Sequence, residues 1–376
     1  FKKENGGTPD LLGKTELTSP YFFVPPSGDT ASRPQSCAPG TLRFNTDHGS
    51  LEVYRGDTIG WEQIQRRESQ YLGGGTGSNA GTGVRGLTLS GDPASDEITF
   101  FTVSTLGNAQ DFGNLTQSRK RFQGFASSTR AFALGGAQED GSGGYNIIDF
   151  VTVSSTGNAT NFGDQTTAAR SQAGASNSTR GITAGGTTGF PSGTFVDTIE
   201  YVTMQSAGNT VDFGNLTLAR DFPTAVNSSV RIVFAGGAQY PTAYNNMDFI
   251  TTATLGNAVD FGDLTGTSQG TAAVCNSTRG VIARCFSGGY LNNLEFITIA
   301  TLGNSVDFGD RINTASPVQG ASSPIRGVFA GGYAPGGSTN AMEFIEITTT
   351  GNGQDFGDMV NGRGFPSVVS NGHGGL

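Results

Sequence analysis

The sequence has few of the residues on which catalytic and metal sites usually depend. Among 376 residues it has only two His, one Trp and three Cys, and charged residues make up 14%. Two imidazoles leave little material for a zinc site or a Ser-His-Asp triad. An odd and sparse cysteine count predicts no disulfide framework and is typical of proteins assembled in a reducing cytoplasm. We therefore expect no catalytic residues, no bound metal and no cofactor.

Long apolar runs and an excess of basic residues are missing as well. No apolar stretch approaches the ~20 residues of a membrane-spanning helix, and Phe1-Lys2-Lys3 is not followed by a signal-type apolar run. The net charge of −9 predicts an acidic surface that repels phosphate backbones, so we expect neither nucleic-acid binding nor membrane insertion. The 31 acidic residues leave carboxylate-pair hydrolysis conceivable. No acid pair stands out from the pattern described next, and we expect no enzyme activity.

One phrase, Gly-Asn-x-x-Asx-Phe-Gly, is present six times, with its first Gly at positions 107, 157, 208, 256, 303 and 351. The steps between copies are 50, 51, 48, 47 and 48 residues. An Arg recurs upstream of each copy, at Arg85, Arg130, Arg180, Arg231, Arg279 and Arg326. Five residues after it comes a small or Gly doublet, except in the fifth copy, where Arg284-Cys285 occupy the doublet position. A period near 50 residues is typical of the blades of a β-propeller, and kelch repeats have about this length.

A single copy contains four strand signals. Residues 122–127 form a short run of small and aromatic residues, a turn precedes Arg130, and residues 131–134 are apolar up to Gly135-Gly136. After a Gly-rich loop, residues 147–154 are rich in β-branched residues, and Thr156-Gly157-Asn158 has the composition of a hairpin turn. A last strand carries residues 161–164. The sequence therefore predicts an all-β fold built from four-stranded units.

The order of strand, turn, strand with Gly doublet, variable loop, strand, hairpin and strand resembles kelch-repeat β-propellers over residues 85–376. The resemblance implies architecture and not function, because kelch-type blades serve enzymes and binding proteins alike. The usual blade Trp is replaced by a Phe that we expect to pack between neighbouring blades. These residues are Phe112, Phe162, Phe213, Phe261, Phe308 and Phe356.

The ends of the repeat array complement each other. The first copy lacks an innermost strand, and residues 365–370 have the pattern of an innermost strand without its blade. Pairing the two would remove open strand edges. We therefore predict a six-bladed kelch-like β-propeller over residues 85–376 that is closed by the C-terminal strand.

Residues 1–84 have a different composition. We expect residues 1–40 to form an extended anchoring arm, because prolines flank its apolar cluster Tyr21-Phe22-Phe23-Val24. Residues 41–70 predict a small β-meander, and residues 71–84 predict a Gly-rich linker. The apolar cluster has no partner of its own, so we predict that it is buried against another chain.

The run Gly40–Asp47, continued by Leu51–Tyr54 and Trp61, looks like a small β-module of virion structural proteins from tailed bacteriophages. The repeated Asp-Phe-Gly phrases are similar to those of arrays in particles of cyanobacterial phages. The resemblance implies a virion structural protein, assembled in the host cytoplasm as a tail fiber or other tail or capsid appendage. Its partners would be other virion proteins and sister copies in a multi-copy assembly or homo-oligomer. The alternative is an intracellular kelch-type scaffold for protein partners.

The loops after the doublets differ from copy to copy, and we expect them to share one face of the propeller. They carry aromatic residues that can stack on sugars of the host surface. The predicted contacts are Tyr240, Tyr244, Tyr290 and Tyr333, followed by Tyr145 and Phe190. The alternative is that these rings cap the core of the blades.

Four carboxylates of the repeated phrases follow another Asx residue by three positions. They are Asp164, Asp263, Asp310 and Asp358. Oxygen ligands at this spacing leave a calcium site open. Alternation along a strand would point the two oxygens to opposite faces, so we favour carboxylates that stabilise turns.

Overall fold

The computed structural model describes residues 25–35, 37–47, 50–63, 84–189, 192–316 and 319–376. Within these ranges the chain forms β-strands, turns and irregular segments and contains no helix. The predicted all-β class is therefore confirmed. The chain divides into two compact units, residues 1–67 and residues 68–376.

The first unit contains one four-stranded sheet, which we call the N-terminal sheet. Its strands, in hydrogen-bonding order, are Ser27–Gly28, Leu42–Asn45, Ser50–Tyr54 and Trp61–Gln63. The last three form the predicted antiparallel meander, whereas Ser27–Gly28 pairs in parallel with Leu42–Asn45 and was not predicted. The buried carboxylate of Glu52 forms an ion pair with Arg33, which ties the segment before the meander to the sheet.

The second unit contains six four-stranded antiparallel sheets in its described residues, which we number sheets 1 to 6. In each sheet the strands are named first to fourth in hydrogen-bonding order. Sheet 1 consists of Ser367–Ser370, Arg85–Leu89, Ser95–Thr102 and Gln110–Arg119; sheet 2 of Gln123–Ala126, Arg130–Leu134, Ile147–Thr152 and Thr160–Asp164; sheet 3 of Ala173–Ser176, Arg180–Ala184, Thr198–Thr203 and Val211–Asn215. Sheet 4 consists of Thr224–Asn227, Arg231–Ala235, Asn246–Thr251 and Val259–Asp263; sheet 5 of Ala272–Cys275, Arg279–Ala283, Asn293–Thr298 and Val306–Asp310; sheet 6 of Gln319–Ser322, Arg326–Ala330, Ala341–Glu346 and Gln354–Asp358.

Short hairpins extend three of the loops after the doublets. Their strands are Thr187–Thr188 with Thr194–Phe195, Ala238–Gln239 with Thr242–Ala243, and Tyr333–Ala334 with Gly337–Ser338. In sheet 1 the C-terminal strand Ser367–Ser370 pairs antiparallel with Arg85–Leu89, as the sequence predicts.

The Phe of each repeated phrase packs between neighbouring sheets, which confirms its predicted position. Phe162 of sheet 2, for example, lies in one buried cluster with Val202 of sheet 3 and with Met204, which directly follows the third strand of that sheet. Phe356 of sheet 6 lies in a cluster with Val103, which follows sheet 1. In each sheet the Phe is the extra residue of a β-bulge between the third and fourth strands.

The rest of the phrase joins each sheet to the next through the backbone. The N–H of its first Gly donates to the carbonyl of the preceding sheet's Phe at 2.8–3.0 Å, as between Gly351 and Phe308. The Asn side-chain oxygen accepts from the residue that follows the preceding phrase at 3.0–3.1 Å, as between Asn352 and Asp310. The same bonds join Gly107 to Phe356 and Asn108 to Asp358, and so connect sheet 1 to sheet 6.

The repeated Arg makes a second link between sheets. Its guanidinium lies over an aromatic ring of its own third strand, with 4.4–4.9 Å between Cζ and the ring centroid. Its Nη1 donates to a backbone carbonyl of the next repeat at 2.7–3.3 Å. Arg326 of sheet 6 makes this bond to Val103, so the Arg series also connects sheet 6 to sheet 1.

Candidate functional site

One end of the six sheets is built from residues that differ in chemistry although their backbone positions are equivalent. The residue that follows each doublet forms an isolated β-bridge with a residue shortly before a first strand. The pairs are Asp92 with Gly364, Lys120 with Ala137, Arg170 with Thr187, Asp221 with Ala238, Gln269 with Phe286, and Ser316 with Tyr333. The fold therefore presents two series of six equivalent positions, and their residues range from charged, amide, hydroxyl and aromatic side chains to Ala and Gly.

The bridge residue before a first strand is followed, in four of the repeats, by a residue with a left-handed backbone conformation that is unusual for residues other than Gly. The φ angles are +56° at Arg121, +57° at Ser171, +54° at Phe222 and +46° at Phe365. The equivalent residue before the first strand of sheet 5 is Gly270, with φ +64°. Each such non-Gly residue costs about 1–3 kcal/mol, and residues of this kind cluster at functional sites. Of these four residues, Phe222 and Phe365 line the cavity described next.

A cavity of about 470 Å³ opens among these residues and the loops after the doublets. Its volume falls within the range of small-molecule sites. Seven aromatic side chains line it, namely Phe195, Phe222, Tyr240, Phe286, Tyr290, Tyr333 and Phe365. We call the two residues that begin at each β-bridge before a first strand a strand entry, as at Asp221-Phe222. The seven rings come from the loops after the doublets and from strand entries of sheets 3 to 6 and of the C-terminal strand, so no single repeat contains the site.

The aromatic rings hold one another in fixed orientations. Phe222 and Phe365 stack with centroids 5.0 Å apart, and Tyr333 meets Phe365 edge-on at 5.5 Å. Phe286 and Tyr290 form a second edge-on pair at 5.6 Å. Rings that are already packed lose little rotamer freedom when a ligand stacks on them.

Polar groups with perturbed titration lie in the same wall. The backbone N–H of Phe222 donates to Asp221 Oδ1 at 3.1 Å. Burial raises the pKa of Asp221 to about 7, although Thr187, Arg170 and Ser171 act in the opposite direction. Burial and the charge of Arg121 lower the pKa of Arg170, which Asp221 opposes. Asp221 and Arg170 therefore lie in the cavity wall as a carboxyl whose neutral form is favoured by burial and a guanidinium that is partly removed from water.

A second group of charges adjoins the cavity beside Tyr333. Asp92 is shared by Lys120 at 3.6 Å and Arg121 at 3.8 Å, and Lys120 also reaches Glu139 at 3.5 Å. Burial, followed by the charge of Asp92 and a hydrogen bond with it, raises the pKa of Tyr333 to about 12. Its hydroxyl is thus protonated at neutral pH.

Only some of the predicted contact residues line the cavity. Tyr240, Tyr290 and Tyr333 line the cavity, and Tyr240 is 77% exposed. Tyr244 donates its hydroxyl to Gln239 Oε1 at 3.2 Å and is not part of the lining. Tyr145, which is partly buried, is not part of it either.

Some predicted residues lie outside the part of the chain that the structure describes. They are Phe190 of the third loop and the apolar cluster Tyr21, Phe22, Phe23 and Val24.

The sequence did not predict that the strand entries contribute to the cavity. Arg170, Asp221, Phe222 and Phe365 lie next to the first strands and not in the variable loops. The available signal was the change in chemistry of two residues at equivalent positions of the six repeats: Lys120-Arg121, Arg170-Ser171, Asp221-Phe222, Gln269-Gly270, Ser316-Pro317 and Gly364-Phe365.

A smaller cavity of about 60 Å³ lies among the first strands and contains His373 in its wall. His373 is hydrogen-bonded to Ala126 O at 2.7 Å, Ser176 Oγ at 3.2 Å and Asn227 Nδ2 at 3.1 Å. Burial lowers the pKa of His373 to about 4, against the smaller opposite effect of its bond to Ala126. The imidazole is therefore neutral and locked in place, which suits a structural role.

Two kinds of site are absent from the residues that the structure describes. These residues contain no group of three or more His, Cys, Asp or Glu placed to hold a metal ion. They likewise include no helix with the length and apolar character needed to cross a membrane.

No protein-family model matches the chain, and no curated protein sequence matches it significantly.

Proposed function

We propose that sheets 1 to 6 are the blades of a six-bladed kelch-like β-propeller. Three independent series of contacts support this arrangement: the first strands, the Gly-Asn phrases and the repeated Arg residues. Each series runs from one sheet to the next in sequence order and returns from sheet 6 to sheet 1. In such a ring the first strands surround the axis, and the aromatic cavity lies at one mouth of it.

We further propose that the propeller is a recognition module that binds carbohydrate in the aromatic cavity. The observation that carries the proposal is the cavity of about 470 Å³ with its seven aromatic rings and a few polar groups. Sugar rings present C–H faces that pack on aromatic rings and hydroxyls that need polar partners, and Asp221, Arg170 and Gln269 supply these. The ligand would be a glycan on the surface of a host cell.

The proposed setting is the virion of a tailed bacteriophage, in which the chain is a tail or capsid appendage present in several copies. The support is the resemblance of residues 40–61 and of the repeated phrases to phage virion proteins. The N-terminal region would hold the propeller on other virion proteins. Mass spectrometry of purified virions of the encoding phage tests this setting, which requires the chain in stoichiometric amounts. Its absence from the virion would favour the intracellular scaffold instead.

Carbohydrate binding is tested with single alanine variants of the cavity rings. Tyr240→Ala and Tyr290→Ala should each weaken glycan binding about tenfold or more, because stacking on an aromatic ring is lost. The melting temperature should stay close to that of the parent, since both side chains are exposed (77% and 37%). Binding is measured on a glycan array and then by calorimetry with the glycans that are retained.

Tyr244→Ala is the matched control. This Tyr lies four residues from Tyr240 but outside the cavity lining, so its removal should leave glycan affinity unchanged. Equal affinities of all three variants and the parent would contradict the proposal. Lower stability of Tyr290→Ala with unchanged binding would show that the ring caps the fold.

A further inference from the structure

We infer that the saccharide bound in the cavity is acidic, with its carboxylate placed against Arg170 beside Asp221. This inference rests on the proposed carbohydrate binding and adds the chemical class of the ligand. It follows from the side chains at the strand entries and from their order around the cavity.

The first step is the position of the cations. Arg170 lines the cavity directly, and burial followed by the charge of Arg121 lowers its pKa, so the two guanidinium groups are within electrostatic reach of each other. The Arg121 guanidinium lies over Phe365 at 4.6 Å and faces the Phe222–Phe365 stack. Two guanidinium groups that repel each other next to an aromatic wall are stabilised by an anion between them.

The second step is the charge that opposes them. Asp92 is already shared by Lys120 and Arg121. Lys120 is also paired with Glu139. Among the described residues that line the cavity, Asp221 is the only one with a carboxyl group.

The third step is the protonation of Asp221. Burial raises its pKa to about 7, and its described neighbours are the cation Arg170, the hydroxyls of Thr187 and Ser171 and the backbone N–H of Phe222. Below that pH the carboxyl is neutral and can donate a hydrogen bond to a carboxylate. Above it, the ionised carboxylate repels an anionic ligand and competes for Arg170. Since a sugar carboxylate stays ionised throughout this range, the affinity should fall as the pH rises through 7.

The test uses two matched pairs of probes: an oligogalacturonate with its methyl ester, and sialyllactose with lactose. Affinities for the intact protein are measured by calorimetry at pH 5.5 and pH 8.5. We expect the acidic member of at least one pair to bind about tenfold or more tightly than its neutral partner at pH 5.5. We expect this preference to decrease by up to about tenfold per pH unit above 7.

Three variants assign the effect to residues. Asp221→Asn keeps the shape of the side chain and should bind the acidic probe with little dependence on pH. Arg170→Gln should lose the preference for the acidic probe, and Arg170→Lys should regain part of it if the charge is what counts. Lys120→Gln removes the same charge at an equivalent position outside the cavity lining and should behave like the parent.

The outcomes separate this inference from the proposed function. Equal affinity for acidic and neutral probes, or a preference that Arg170→Gln retains, overturns the inference and leaves carbohydrate binding in place. The same holds if the parent and Asp221→Asn show the same pH dependence. If neither pair of probes binds at either pH, the inference is contradicted, whereas the proposed function is contradicted only if the glycan array retains no glycan.

Discussion

Replacing Gly309 by Ala should disrupt the junction between sheets 5 and 6. Gly309 is the last residue of its Gly-Asn-x-x-Asx-Phe-Gly phrase and has φ +141°. A Cβ on it would lie 2.5 Å from Gly351 O and 2.8 Å from Gly351 C, and both atoms belong to the backbone of the next repeat. Gly303, the first residue of the same phrase, has nearly the same φ, +146°, but a Cβ there meets nothing within 4 Å. The chain thus offers a control with equal backbone strain and no collision.

The expected difference follows from the bonds at the junction. Both substitutions impose a backbone conformation that costs about 1–3 kcal/mol for a residue with a side chain. In Gly309→Ala the backbone at residue 351 must also move, which weakens two hydrogen bonds. These are Gly351 N–H to Phe308 O at 2.9 Å and Asp310 N–H to Asn352 Oδ1 at 3.1 Å. Each contributes about 0.5–1.5 kcal/mol, so Gly309→Ala should be less stable than Gly303→Ala by about 1–3 kcal/mol.

The two variants are compared by urea unfolding followed by circular dichroism. The free energy of unfolding of Gly309→Ala should lie below that of Gly303→Ala, and both should lie below the parent. If the two variants lose the same stability, the close approach between phrases is not what requires the second Gly. A loss confined to Gly303→Ala would refute the reasoning outright.

Three further outcomes are expected. Arg231→Met should lower the free energy of unfolding by about 2–4 kcal/mol, because a charged hydrogen bond to Ile299 O at 3.0 Å and a cation–π contact at 4.4 Å are lost. The control Arg55→Met removes an exposed ion pair and should leave the melting temperature nearly unchanged. The folded-state pKa of His373 is about 4 against 6.5 for the free side chain, so stability is lost as the pH falls from about 6.5 towards 4. His373→Gln should reduce that loss, and comparing it with the parent at each pH cancels the opposite contribution of Asp221. Deleting residues 1–24 removes Tyr21–Val24 and leaves the N-terminal sheet complete; virions should then lack the protein while its circular dichroism spectrum and melting temperature are retained, and normal incorporation would contradict an anchoring role.

The repeated residues predicted the sheets because each phrase determines a turn within its own repeat and recurs at a nearly constant spacing. Each phrase predicted a hairpin, and the spacing of Gly351 from Gly303 predicted another copy of the same unit. The strand entries were not predictable in the same way. Asp221 and Phe365 are far apart in the chain and differ in chemistry from their equivalents, so only the arrangement of the sheets brings them to one cavity. The parallel strand Ser27–Gly28 was missed for a related reason, since two residues carry no period.

The pairing of Ser367–Ser370 with Arg85–Leu89 has a consequence for biosynthesis. During translation, the strand Arg85–Leu89 is made almost three hundred residues before its partner Ser367–Ser370. Its edge stays unpaired until that partner emerges from the ribosome. A nascent or prematurely terminated chain that stops before Ser367 exposes the apolar residues Leu87 and Leu89 on that edge. Such an edge can recruit the C-terminal strand of another molecule, so truncated products are expected to dimerise by strand exchange when they are co-expressed with the complete chain.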